Sequence, residues 1–222
     1  MLKKINLIVS LVVVFGWGQF IALAHVHAQT LTVELPDKNL QACIEALAKK
    51  NNWQAIEDVT KIQCHNKGIE NIEGLQQFTR LQKLSLHKNK INKASLNALP
   101  EIKEINIARN NLSEIKLSNL PKLEALYLFG NQFQQLELKG FPALEQIKAN
   151  SSGIHHFHYA DLPSLQKIYM FDNQMETIDI YSLPALKYMD VRQNPMPDGL
   201  YEEMDKMPNM TILHDGNAED WQ

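Results

Sequence analysis

Histidine, cysteine and tyrosine side chains hold most of the chemistry that this chain of 222 residues can offer. His155, His156 and His158 stand close together, as a metal site would require. Adjacent residues such as His155 and His156 cannot aim at one ion without a turn, and Asp161 is the one acidic residue at a helpful spacing. The cluster is therefore read as no metal site. His65 and His87 lie 22 residues apart and occupy one column if their segments pair as strands, about 5 Å from each other. Such a pair could chelate, but it reads as two solvated rings. Ser85 precedes His87 by two residues, with nothing nearby to build an oxyanion hole. GxSxG, HExxH, P-loop and GxGxxG patterns are absent from the sequence, and the carboxylates form no pair suited to acid–base work. The chain reads as a non-enzyme that needs no cofactor.

Cys43 and Cys64 make an even pair, which in an oxidising compartment closes as a disulfide; two buried thiols are the alternative. Loop entropy alone would give that bond roughly 3 kcal/mol. The remaining chemistry is aromatic. Tyr127, Phe129, Tyr169, Phe171 and Tyr188 all fall at outward positions of short strands, bordered by Lys148, Lys167 and Arg192, with Asp190 among them. Strands stack at ~4.8 Å, so the rings should span roughly 14 Å as one patch. Clustered rings of this kind build recognition surfaces. The competing account is that some of them lie over the neighbouring strand and merely pack sideways.

The elements that place these residues come from a repeat. Leu81, Ile102, Leu123, Leu144, Leu165 and Leu186 follow one another every 21 residues. Three positions on come Leu84, Ile105, Leu126, Ile147, Ile168 and Met189. Two further come Leu86, Ile107, Leu128, Ala149, Met170 and Val191. A polar column follows: Asn89, Asn110, Asn131, Ser152, Asn173 and Asn194. Ile91, Leu112, Phe133, Ile154, Met175 and Met196 close each unit. Pro100, Pro121, Pro142, Pro163 and Pro184 mark the junctions and suit an extended approach to each strand. An earlier, degenerate unit runs from Val59 through Ile62, Cys64 and Ile69, with Lys67 in the asparagine position.

The pattern LxxLxLxxNxI resembles the leucine-rich repeat family over residues 59–196, as about seven repeats. Its physics is that of a solenoid. Alternation makes xLxLx a short strand with two residues facing in. One unit cannot bury its own apolar face, so stacked units share a core. The resulting fold class is α/β: a curved parallel sheet on the concave side, with irregular or short extended segments on the convex side. Ile115-Lys116-Leu117, Leu136-Glu137-Leu138, Phe157-His158-Tyr159 and Ile178-Asp179-Ile180 share one phase and predict those convex segments.

The ends read as caps. Residues 29–58 form an N-terminal cap whose helix carries Leu40, Cys43, Ile44 and Leu47 on one face and Asp37 at its start. This cap resembles that of bacterial internalin-like proteins. A Cys43–Cys64 bond would pin it to the first strand. Residues 197–222 form the C-terminal cap and tail. Within them 198–214 reads as a last helix with Leu200, Met204 and Met207, closed by an edge segment from Met210 to Leu213.

Residues 1–28 read as a secretory signal peptide: Lys3 and Lys4, then an apolar stretch, then Val26-His27-Ala28. The stretch is also long enough for a retained anchor. Cleavage removes two lysines and no acid, and takes the net charge from −3 to −5. With 22 basic against 25 acidic residues the chain is no broad nucleic-acid binder. The sequence thus describes an exported protein, periplasmic or extracellular, with no membrane span after cleavage. It would bind a protein through the concave rings. Binding of a glycan on the same patch, or service as an envelope scaffold, are the alternatives. The resemblance implies a bacterial source and an interaction role.

Overall fold

The computed structural model describes residues 30–217. The expected signal segment and the last five residues of the tail lie outside the described residues. Twelve strands occur among the described residues: β1 (Lys61–Gln63), β2 (Lys83–Ser85), β3 (Lys93–Asn97), β4 (Glu104–Asn106), β5 (Glu114–Ser118), β6 (Ala125–Tyr127), β7 (Gln135–Lys139), β8 (Gln146–Lys148), β9 (His156–Ala160), β10 (Lys167–Tyr169), β11 (Tyr188–Asp190) and β12 (Thr211–Leu213). Eight of them form one parallel sheet in the order β1-β2-β4-β6-β8-β10-β11-β12. Its register joins Ile62, Leu84, Ile105, Leu126, Ile147, Ile168, Met189 and Ile212 into one inward line. All eight are buried. Each such side chain contributes about 1.5–3 kcal/mol relative to exposure. That burial, summed along the stack, is what makes three-residue strands hold.

The asparagine column sets the pitch between turns. Asn110 donates from Nδ2 to the carbonyls of Leu86, Ile107 and Ala108, and its Oδ1 accepts from Ile91 N–H at 3.1 Å. Asn89, Asn131, Asn173 and Asn194 make equivalent bonds. A side chain that both donates and accepts is needed, because each buried turn leaves groups of both kinds. Ser152 fills part of that role. Its hydroxyl bonds the Leu128 and Asn150 carbonyls, and Phe133 N–H turns instead to the Ser152 backbone carbonyl at 2.8 Å.

The prolines act differently from the expectation of an extended approach. Ile102 N–H reaches Leu99 O at 3.2 Å, and Leu123, Leu144, Leu165 and Leu186 repeat that bond to the residue three before. Each proline is therefore the second residue of a tight turn, where its fixed φ is already correct.

The other long side carries two separate parallel pairs, β3 with β5 and β7 with β9. This series starts one repeat earlier than expected, since Ala94 and Leu96 in β3 are buried. It also ends earlier: Ile178 and Ile180 are buried, yet residues 178–180 form no strand. Asp179 Oδ1 takes the N–H groups of Tyr181 and Ser182, and Tyr159 Oη donates to the Asp179 carbonyl at 2.6 Å. The local turn and the phenol use the groups a ladder would need. Between β5 and β7 there is no pairing, and an open groove of about 710 Å³ lies there, lined by Ile115, Leu117, Gln132 and Gln134. An unbroken ladder on one side and an interrupted one on the other is the mark of a bent array, with the eight-stranded sheet on the inner, concave side.

At the N-terminal end α1 (Lys38–Asn51) begins at Asp37, whose side chain accepts from Leu40 N–H. Leu40, Cys43 and Ile44 are buried, and Cys43 is bonded to Cys64 with Cα atoms 6.0 Å apart. At the other end α2 covers only Asp198–Asp205. The expected helix thus stops before Met207; Pro208 and the left-handed Asn209 (φ 62°) redirect the chain, and the expected edge segment from Met210 to Leu213 is β12. His214, fully buried, stacks on Tyr201 with ring centres 4.7 Å apart and bonds Asp205 Oδ1 through Nε2 at 3.0 Å. No helix among the described residues is long and apolar enough to cross a membrane.

Candidate functional site

In every strand of the inner sheet the middle residue is buried in the core and its two neighbours point to the opposite face, where Ser85, Asp190 and Leu213 are covered as well. Those outward columns are where the candidate residues stand. Tyr127 on β6, Lys148 on β8 and Tyr169 on β10 are direct register partners. The Lys148 ammonium lies 4.5 Å from the Tyr169 ring centre and 6.0 Å from that of Tyr127. Lys148 was expected at the border of the rings; it sits between two of them, in a cation–π arrangement. Tyr188 on β11 reaches diagonally to Tyr169, ring centres 5.1 Å apart. These four side chains form one run across four strands.

The other ring positions divide. Phe129, just past β6, approaches His87, with ring centres 6.3 Å apart. Phe171 holds the same column two strands away, half-buried, with no ring partner among the described residues. Lys167 at the start of β10 is exposed. Asp190 is only 3% exposed. Both its oxygens are taken by Arg192, at 2.9 Å from Nε and 2.7 Å from Nη2. It is therefore an internal partner that fixes the guanidinium, which stays 40% exposed. That bond and the nearby carboxylate hold the Arg192 pKa above its ordinary value.

Electrostatics keep the phenols neutral. Burial, then the Glu104 charge, raises the Tyr127 pKa; burial, then Asp190, raises that of Tyr188. Both rings remain hydrogen-bond donors well into alkaline solution. All five aromatic residues are half-buried, so each leans on its neighbours while still presenting a face. Sideways packing orders Tyr127, Phe129, Tyr169 and Tyr188 against their neighbours, as the competing account of the rings expects.

The histidines separate as well. His65 Nε2 is 2.8 Å from Ser85 Oγ, and the His65 and His87 rings meet edge to face at 6.0 Å. Ser85 is buried and engaged by His65, and no acid orients that ring. On the outer side His156 and His158 stack at 6.1 Å, while His155 Nδ1 bonds Gly153 O at 3.0 Å. Among the described residues no three His, Cys, Asp or Glu side chains converge on a point fit for a metal ion.

The sequence profile described as "Endo-beta-N-acetylglucosaminidase EndoS LRR domain" matches residues 35–175. The chain belongs to this leucine-rich repeat family. The match runs from the N-terminal cap to just past β10 and so takes in most of the inner sheet. No curated protein is similar enough to count as a match. Solved structures are similar to parts of the chain. YopM from Yersinia enterocolitica WA-314 is 18% identical with a TM-score of 0.49, over 71% of this chain and 36% of that one. An internalin, InlF from Listeria monocytogenes, is 17% identical with a TM-score of 0.34, over 81% and 75% of the two chains. The functional domain of InlJ from the same species is 19% identical with a TM-score of 0.37, over 72% and 51%. The leucine-rich repeat chain described here thus spans about a third of YopM and about half of the InlJ domain.

Proposed function

We propose that this leucine-rich repeat protein is a non-catalytic, exported binding protein that holds a polypeptide partner against the inner sheet. The observation that carries this reading is the run Tyr127–Lys148–Tyr169–Tyr188, ordered by ring and cation contacts and left half-exposed on the inner sheet. Preordered aromatic residues lose little entropy on binding and bring large contact areas, so they serve as anchors. Phe129, Phe171, Lys167 and the Asp190–Arg192 pair extend the contact area on either side. The open sheet has no enclosed pocket of the sort a small substrate needs.

Export is supported by the Cys43–Cys64 bond, which persists in oxidising surroundings, and by the signal-like residues 1–28. Periplasm and extracellular space are both consistent with it. Glycan is the second reading. The family takes its name from the repeat domain of an endo-β-N-acetylglucosaminidase, and tyrosine rings stack on sugars as well as on side chains.

A paired capture experiment tests the proposal. One bait is the chain from Gln29; the other carries Tyr127→Ala, Phe129→Ala, Tyr169→Ala and Phe171→Ala and is checked for equal thermal stability. Envelope and culture-medium or host extracts are passed over both. A polypeptide retained by the first bait and lost from the second, then rebound as a purified protein, is the expected result. Equal recovery on both baits, or none, overturns the assignment. Retention of only protease-resistant, glycosidase-sensitive material moves it to glycan.

A further inference from the structure

Beyond the C-terminal ends of the first strands, the rim of the inner sheet carries a second cluster: His65, His87, Lys88 and Arg109, closed off by Phe129. Their positions are fixed by backbone. Lys88 N–H donates to Ala108 O and Arg109 N–H to Phe129 O, so both residues continue the sheet ladder. Both have left-handed backbone, φ 58° and 53°, at the turn position that Gly130 occupies in the next repeat. The Arg109 side chain lies over Gly130; a Cβ there would meet Arg109 Cγ at 3.2 Å. His65, His87 and Phe129 follow as successive ring contacts at 6.0 and 6.3 Å.

Charge sets this rim apart. Among the described residues, Lys67, Lys88, Lys90 and Arg109 have no carboxylate within 4.0 Å, whereas at the opposite rim Lys83, Lys103 and Lys122 pair with Glu104, Glu124 and Glu101 at 2.6, 2.9 and 2.7 Å. Residues 59–69, 81–100, 105–113 and 125–136 contain no Asp or Glu, in a chain whose net charge is −3. The far end of the same rim differs again, because Arg192 is neutralised by Asp190. Burial, then the charges of Lys88, Arg109 and His65, lowers the His87 pKa. Like charges are thus held together without a counter-charge, an arrangement that an anion would relax.

We propose that this rim seats the carboxylates of an acidic segment in a polypeptide partner, next to the segment that lies on the tyrosine run. The inference rests on the reading of the inner sheet as a binding face. A polypeptide fits better than a polyanionic glycan because on this rim the unpaired cations end at Arg109, past the third strand of the sheet, and Phe129 takes over. The matching ligand is charged at one end and apolar at the other.

The test uses rhodamine-labelled decaglutamate and fluorescence anisotropy at low salt, with the chain from Gln29. Binding that weakens as salt rises is expected, and K88E with R109E should weaken it roughly tenfold or more. K88Q with R109Q serves if the reversed charges disturb folding. Reversal of two cations elsewhere, K49E with K139E, should leave binding unchanged. Absence of binding at millimolar probe, or equal loss in both double variants, overturns the proposal. So does a heparin-derived oligosaccharide that binds more tightly than decaglutamate with the same dependence on Lys88 and Arg109; the rim would then be a glycan site. In the paired capture experiment, a partner lost on removing the rings but kept by K88E with R109E leaves the binding face standing and defeats the acidic-segment assignment alone.

Discussion

The inner and outer sides of the solenoid are built from the same repeat and turn out differently. On the inner side the ladder runs through eight strands without a break, while on the outer side it stops after each pair. The inner pitch is fixed by a polar column that binds backbone in two successive turns. The outer strands have no such column, and Ile115 and Leu117 in β5 remain partly open to solvent beside the groove facing β7. Repetition of apolar positions is enough to stack turns. Uniform spacing needs the buried asparagine as well. The inner side, once uniform, frees its outward columns to carry rings and unpaired cations in register.

The sharpest way to break this contrast is at Asn110. Asn110→Ala orphans the buried Ile91 N–H and removes one of the two bonds at each of the Leu86, Ile107 and Ala108 carbonyls, which keep their bonds from Asn89, Asn131 and Lys88 N–H. A loss of roughly 3–5 kcal/mol is expected. Ser152→Ala, at the same position two repeats on, removes only a hydroxyl whose work the backbone already shares, and should cost about 1–2 kcal/mol. Chemical denaturation of the two variants measures both. Equal losses would mean that the column does not set the pitch.

Most of this fold could be read from the chain. The 21-residue spacing located the strands, because inward positions are dictated by stacking and leave a strong pattern. Turns were harder. A proline before an apolar residue fits either an extended approach or the second position of a tight turn, and only the Leu99–Ile102 bond distinguishes them. The outer segment at 178–180 matched its predecessors in apolar phase, but phase does not register that Asp179 will take its neighbours' N–H groups. The candidate surface was legible in part. Column position placed the rings on one face, whereas the seat of Lys148 between them and the capture of Asp190 by Arg192 depend on side-chain reach. The cationic rim is hidden in the sequence because His65 and His87 read there as a chelating or solvated pair. The available signal was the acid-free stretch from 81 to 100 around Lys88.

The N-terminal cap gives the outer side a polar anchor of its own. Asp37 accepts from Leu40 N–H within α1 and from Glu70 and Asn71 N–H in the outer turn of the first repeat, at 2.8, 2.8 and 3.0 Å. Burial raises its pKa, and the bonds from Glu70, Leu40, Asn71 and Asn39 N–H outweigh that and bring it below the ordinary aspartate value. A carboxyl with a lowered folded pKa stabilises the fold above its unfolded pKa, and that contribution fades as pH falls through the folded value. Stability should therefore hold down to about pH 5 and drop below about pH 4. Asp37→Ala should lose about 2 kcal/mol at neutral pH and flatten that acid limb. Thermal melts between neutral and acid pH decide the matter; an unchanged limb would place the acid sensitivity elsewhere.

The smallest effect should come from the outer strands, and it makes the contrast quantitative. Leu117 and Leu126 are both leucines in paired parallel strands, the first on the outer side in β5 and the second inside on β6. Leu126 is 0% exposed and Leu117 is partly buried at the edge of the groove. Leu117→Lys can extend its ammonium into that groove while its stem keeps the contact, so a change within about 1 kcal/mol is expected. Leu126→Ala leaves a cavity in the middle of the stack and should cost about 2–5 kcal/mol. A shift in melting temperature several times larger for Leu126→Ala is the result that fits two sides of unequal rigidity. Similar shifts would show that the outer pairs support the array as firmly as the inner sheet does, in spite of their broken ladder.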